Sequence, residues 1–450
     1  MTSGVGDWPI QVRVPTSGVL PFQNHQTAPT IVIMMIKKCF GFPRASACLI
    51  ALLSASAIAA AQDDEAGHPV FSLRGFGTAG LVRSTNGQAE VARDLLQPRG
   101  VSNHWSGKID SNLGIQANYL ASEKIEAVVQ AVSRYNYKGN FSPELTEALL
   151  KYDPNPFLSL RGGRVSTDFF MHGDSRLIGY SQLVARPNID FYSSLAVSYL
   201  DGADAQVTVP VGEGLLRGKG YYGFLTEKLP FAEGNLNLRG SRAIGAYLDY
   251  QQGPWQWRGG LARISFKHSM PAPVGDLQSA LIGTGVSSAQ NAAADLELQG
   301  TDARYYSLGV VYDRGPLLVQ MMLSRLSYES EVIQDQNSGM FLAGYRIGDI
   351  KPFVGYSRAK SSASHVASGL PSTGSSAQIN AVLASVLAES HADQHTYSIG
   401  LRWDFRRDMA FKFQADAIRG KSDSIYSFRR ETSRWDGKTN VFTLALDFVF

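Results

Sequence analysis

The chain ends Val441-Phe442-Thr443-Leu444-Ala445-Leu446-Asp447-Phe448-Val449-Phe450. Counting back from the carboxyl terminus, Phe450, Phe448, Leu446, Leu444 and Phe442 share one face, and Val449, Asp447, Ala445 and Thr443 share the other, because side chains of a strand alternate with a period of two. One face suits lipid and the other tolerates water. Ten residues also match the roughly 9 to 11 that a tilted strand needs to cross a bilayer. The stretch therefore reads as a strand of a membrane-spanning sheet, with the edge strand of a soluble sandwich as the competing reading.

Working outward, the 450 residues are 44% hydrophobic with a mean hydropathy of −0.11, and no apolar run outside the leader is long enough for a transmembrane helix. A chain of this kind that spans a membrane must close a barrel, so that every backbone donor and acceptor in the bilayer is paired. The 44 Gly, 22 Phe and 19 Tyr suit many strands with aromatic girdles better than a helical bundle. Met35-Ile36-Lys37-Lys38, the apolar stretch from Cys48 to Ile58 and Ala59-Ala60-Ala61 form the basic region, core and small-residue end of a secretory signal peptide, with cleavage expected after Ala61. Residues 1–33 fit no part of that leader, which places the expected translation start at Met34 or Met35. Two regions result: 1–61, an extension plus leader, and 62–450, a barrel. Loss of 1–61 removes Arg13, Lys37, Lys38, Arg44 and Asp7, leaving 38 of the 42 cations and 38 of the 39 anions. The mature chain is neutral, so its charge gives no reason to expect nucleic acid as a partner. Cys39 and Cys48 leave with the leader, which excludes disulfide and thiolate chemistry in the remainder.

From Val70 onward, alternating segments are separated in turn by long polar loops and very short turns. The short turns are 121–123, 153–156, 212–214, 252–254, 314–316, 347–349 and 406–408, rich in Gly, Pro, Asn and Asp as tight turns require. Between them the pattern predicts about sixteen strands, near 70–83, 108–120, 124–136, 144–153, 157–165, 203–211, 215–225, 241–251, 255–266, 303–313, 317–328, 339–347, 351–360, 394–405, 409–419 and 439–450. Asp201-Gly202 reads as a bulge or turn before the sixth. The expected fold class is all-β: a transmembrane, antiparallel, up-and-down β-barrel with long loops on one side. Ile379, Val382, Leu383, Val386 and Leu387 carry helical spacing and predict a short helix inside loop 361–393; an Ala-rich stretch within 275–298 predicts another. Either could pack on the rim, act as a lid or bind a partner.

Strand parity assigns an inward set. Arg74, Lys108, Arg134, Arg161, Arg217, Lys219, Arg258, Arg402 and Lys412 face Asp110, Glu126, Glu147, Asp249, Asp404, Asp416 and Asp447. The leader, the strand count, Gly75-Phe76-Gly77, Arg161-Gly162-Gly163-Arg164, the long segment after the fifth strand and the terminal Phe450 together resemble the Gram-negative outer-membrane porins. The resemblance extends in organisation over 70–450 and implies a third loop folded into the barrel, a location in the outer membrane in contact with its lipid, a homotrimer, and passive diffusion of small hydrophilic solutes or ions. It places the constriction between Arg161 and Arg164 on the wall and Asp168, Asp174 and Arg176 on the loop. The loop departs from the general porins in lacking their acidic cluster, and the basic excess on the walls points to a weak anion preference. No cofactor, metal or catalytic residue is implied.

Other chemistry fits less well. A structural or adhesive barrel with a plugged lumen is the main alternative. A hydrolase would need His172, Asp174 and Ser175 to act together, yet neighbours in one loop seldom form a relay and no Gly-x-Ser-x-Gly elbow is present. His391 and His395 sit at helical metal-ligand spacing, but His395 opens an alternating strand. Arg161-Gly-Gly-Arg164 lacks the strand-to-helix setting of a phosphate cradle.

Overall fold

The structure is a computed structural model and describes residues 70–450 except 194, 196, 232, 233 and 425–427. The leader assigned to 1–61 lies outside the described residues.

Sixteen antiparallel strands form a closed barrel: β1 (Phe71–Ser84), β2 (Asn112–Ser122), β3 (Ile125–Arg134), β4 (Glu144–Asn155), β5 (Leu158–Ser166), β6 (Tyr199–Val211), β7 (Gly214–Phe224), β8 (Arg242–Gln252), β9 (Trp255–Ser265), β10 (Asp302–Arg314), β11 (Leu317–Tyr328), β12 (Gln336–Tyr345), β13 (Ile350–Ser361), β14 (Asp393–Arg406), β15 (Met409–Gly420) and β16 (Lys438–Val449). Each pairs with its sequence neighbour, and β16 closes on β1 with Phe76 opposite Val449 and Ser84 opposite Val441. Gly75 and Phe450 complete the seam by exchanging backbone hydrogen bonds of 2.7 and 3.0 Å. Among the described residues the barrel itself leaves no sheet edge open, as a membrane sheet requires.

The short turns fall where the sequence places them. Gly212, Gly253, Gly315 and Gly348 adopt φ between 55° and 61°, a left-handed conformation that a side chain resists. The outward face is apolar: Leu150, Leu248, Leu261, Leu308, Leu323 and Ile399 are each more than half exposed. At the short-turn end it carries an aromatic girdle, with Trp255 and Trp257 stacked at 5.7 Å and Tyr312 against Trp255 at 4.7 Å. Tyr222, Phe224, Tyr306, Tyr356 and Tyr397 supply the second girdle near the long loops.

Three expectations about elements are corrected. β2 begins at Asn112, not 108, because the Asp110 carboxylate is held by Arg93 at 3.2 Å and Arg186 at 3.1 Å, which turns the chain away from the ladder. Ile109 accordingly packs with Val82, Val91, Val101, Phe428 and Trp435 in a core that joins the long loops to the inner face of β1, β15 and β16. β6 runs unbroken through Asp201-Gly202, since Gly202 lies against the backbone of Gly223 on β7 with no room for a Cβ. The Ala-rich segment is two helices, α1 (Ala272–Gly283) and α2 (Ser287–Asp295), broken at Gly285, whose φ is +69°. A third long-loop helix, α3 (Ser375–Ala388), buries Leu383 and Val386 in the apolar cluster that also holds Leu277, Leu281 and Ala293. These helices share one core with the β8–β11 end of the barrel.

Candidate functional site

Residues 167–198, between β5 and β6, turn into the barrel and run along its inner wall. Thr167 and Ser198 meet at the entrance through a backbone hydrogen bond of 3.1 Å. The descending limb sets the Phe169 carbonyl on Ser307 of β10 at 3.1 Å and packs Phe170 edge-on against Phe191, Tyr192 and Tyr305. The apex crosses to the opposite wall. Gly179 fits against Thr78 and Asp447 with no space for a Cβ. Lys412 Nζ, fully buried, donates to the carbonyls of Gly179 at 2.7 Å and Val184 at 3.0 Å and pairs with Asp447 at 2.8 Å. Arg402 donates to the carbonyls of Tyr180 and Gln182 at 2.7 and 2.8 Å. The Tyr180 hydroxyl reaches the Arg407 carbonyl, in the β14–β15 turn, at 2.6 Å. The returning limb is tied by Ala185 N–H to Gln414 at 2.9 Å, by Arg186 to Asp110 and Thr443, and by Asp190, which accepts from Ser357 at 2.6 Å and Gln394 at 2.7 Å.

A charge network fixes the root of the descending limb. Arg161 grips Asp204, its cross-strand neighbour, with both nitrogens of one guanidinium edge at 2.6 to 3.1 Å. Lys219 on β7 lies 3.6 Å from Asp204 and 2.6 Å from Asp168 of the loop. Tyr247 donates to Asp168 at 3.4 Å, and Arg258 stacks on Tyr247 at 4.1 Å while pairing with Asp249 at 2.7 Å. Arg217, opposite Asp249 in register, has no carboxylate partner among the described residues and a buried Nε without a hydrogen bond. The loop covers the inner wall from β10 round to β1. The inner wall of β2–β9 toward the short turns is less covered, and Gln116, Asn118, Glu126, Gln130, Glu147 and Thr208 are half-buried there.

Solved structures share this architecture. Salmonella typhi OmpF aligns with a TM-score of 0.52 at 12% identity, over 84% of this chain and 97% of that one. The outer membrane channel DcaP of Acinetobacter baumannii aligns at 0.50 and 12%, over 86% and 99%; an anion-selective porin from Comamonas acidovorans does so at 0.50 and 14%, over 84% and 99%. The fold is that of the outer-membrane porins. No protein-family profile matches the sequence, and no curated protein matches it, so the likeness to porins lies in the fold.

Within this porin fold the expected site residues divide. Arg161 and Asp168 enter one network, bridged by Asp204 and Lys219. Asp174 is exposed inside the barrel, with Asp168, Arg258 and Lys219 as its charged neighbours. Arg164 is placed differently from expectation: three positions from Arg161 in an unbroken strand, it projects from the opposite face, bonding Asp201 at 2.6 and 2.8 Å and stacking on Tyr199 at 4.7 Å. Arg176 is also placed differently; it is buried and donates to the Val197 carbonyl at 3.1 Å, stapling the two limbs of the loop together. Lys108 lies in the loop before β2, not on the wall. Arg74, Arg217, Arg402 and Lys412 do face inward. So does Arg134, near Asp94 at 3.7 Å and Glu144 at 3.8 Å, where it donates to Ser198 at 3.3 Å.

Several site residues escaped the sequence reading. Asp204 is the clearest: it answers Arg161 directly once β5 and β6 are in register, but the strand carrying it was the least regular in pattern. Gly179, Gln414 and Tyr247 matter through contacts far apart in sequence. The hydrolase arrangement is not assembled, since the Ser175 hydroxyl donates to the His172 main-chain carbonyl at 3.5 Å. His391 bonds Ser361 and Gln334 at 3.1 and 3.0 Å, while His395 faces outward beside Tyr397. Among the described residues no three metal-ligating side chains cluster.

Proposed function

We propose that the protein is an outer-membrane porin whose lumen passes small hydrophilic solutes and ions by passive diffusion, narrowed by the loop at 167–198. The observation that carries this reading is the asymmetry of the interior: the loop occupies the wall from β10 round to β1, and the wall of β2–β9 keeps a strip of half-buried polar and charged side chains, which a water-filled path requires. The apolar outward face and its two girdles support residence in the lipid of a Gram-negative outer membrane. A homotrimer rests on the family resemblance and is tested by native mass spectrometry of the detergent-extracted protein.

Selectivity is the finer part of the proposal. Most of the basic wall is neutralised in pairs: Arg161 by Asp204, Lys219 by Asp168, Arg258 by Asp249, Arg402 by Asp404 and Lys412 by Asp447. A weak anion preference therefore rests on Arg74 and Arg217, and Glu147 and Asp174 oppose it.

Single-channel recording in planar bilayers tests the whole reading, with discrete conductance steps expected. A second reading has its own support, because the Phe169–Phe170–Phe191–Tyr192 cluster fills part of the barrel with apolar side chains. A heat-modifiable barrel that stays electrically silent would favour that plugged, structural or adhesive barrel and sink the porin assignment.

A further inference from the structure

The barrel wall is split at its outer rim between β4 and β5. Their pairing stops at Ala148 and Arg164, while β4 continues outward to Glu144 along β3 and β5 continues to Ser166 along β6. Arg164 bridges the split, donating to the Leu145 carbonyl at 3.0 Å in addition to its pair with Asp201. Next to it lies a polar cavity of about 320 Å³, bounded also by the ends of β3 and β6 and by the β7–β8 loop.

Two independent features of this cavity point to a ligand. The first is charge: five cations line it, Arg134, Lys138, Arg164, Lys228 and Arg239, against the three carboxylates Glu144, Asp201 and Glu227. Lys138, Lys228 and Arg239 are exposed and have no carboxylate partner among the described residues. The second is unmet hydrogen bonding. Arg134 Nε, 3.8 Å from Glu144, and Thr226 Oγ1 are buried without a hydrogen-bond partner, and Arg134 is only 8% exposed. Each such group is unfavourable when left alone. A basic cavity with inward-facing donors suits oxygens that carry negative charge, for which arginine is the preferred partner.

We propose that this notch binds a small oxyanion, a phosphate or carboxylate group, either free in solution or borne on a lipid headgroup. The notch lies at the outer rim of the wall, and the proposal stands whether or not the lumen conducts. Calorimetric titration of the full chain in detergent with inorganic phosphate, succinate and sucrose tests the soluble source; the two anions bind and sucrose does not. Lys228→Gln combined with Arg239→Gln weakens that binding about tenfold or more, with heat-modifiable migration in SDS gels unchanged. Native mass spectrometry after reconstitution with phosphatidylglycerol tests the lipid source, expecting retained lipid that the same double variant loses. Either source supports the site. Absence of both, or binding indifferent to the double variant, overturns it. Conductance recorded on the same samples separates failure of this site from failure of the pore.

Discussion

Gly75 and Gly77 leave two bare patches on the outer face of β1, and the rings of Phe450 and Phe448 lie across them at the seam. Aromatic cover of a strand glycine supplies packing that the glycine itself lacks. Gly202 is a tighter case, since its neighbours are backbone atoms of Tyr222 and Gly223 rather than the end of a movable ring. Gly202→Ala is therefore expected to destabilise the barrel by about 1 to 3 kcal/mol through overpacking and Gly75→Ala by less, because the Phe450 ring can swing away. The temperature at which each variant loses its heat-modifiable migration checks the order. Arg161 makes a prediction of a different kind. Arg161→Ala leaves Asp204 with Lys219 alone, so reversal potentials in a salt gradient should move toward cations. Arg164→Gln, on the opposite face, should leave them unmoved; equal shifts would refute the face assignment.

At the scale of elements, the loop at 167–198 behaves as a strut bonded at both ends. Its apex rests on Lys412 and Asp447, side chains with no solvent exposure. Removing one member of a buried pair strands the other and is destabilising by about 3 to 5 kcal/mol. Lys412→Met should accordingly lower the heat-modification temperature and make single-channel currents noisier as the apex loosens. Lys412→Met with Asp447→Asn should recover much of the loss. The entrance of the loop carries a pH dependence. Glu227 accepts the Ser198 N–H at 2.7 Å, and burial pushes its carboxyl up from 4.5 to about 7 despite that bond and the nearby Arg176 and Arg134. The folded state holds the proton more tightly than the unfolded one. Its contribution to stability is thus complete below about 4.5 and lost as pH rises through about 7. Protection of the Ser198 amide against hydrogen exchange should fall over that window, and Glu227→Gln should flatten the dependence.

For the whole molecule, closure is the property on which everything else depends. Deleting residues 442–450 removes most of the strand that joins β1 to β15 and exposes two edges that lipid cannot satisfy. Such a chain should sediment as aggregate instead of floating with vesicles in a density gradient, where the full chain floats. The sixteen strands and their short turns were legible because a period of two, interrupted by Gly, Pro and Asn, is a local signal. The interior was legible only as far as parity reaches. Parity set Arg161 inward and, three positions on, sets Arg164 outward; grouping the two as one basic wall followed their closeness in sequence instead of the pleat. Asp110 shows the opposite failure, in which two distant arginines override a local strand pattern.

The sequence by itself determined an all-β barrel of about sixteen strands and which face of each strand is apolar, because alternation and turn chemistry act over a few residues. Only the tertiary structure decided which charges neutralise one another, where the inward loop is fastened, and that the rim is split beside Arg164. Those outcomes depend on the register between strands and on contacts such as Arg186 with Thr443 or Lys412 with Gly179, which join residues hundreds of positions apart and have no local signature.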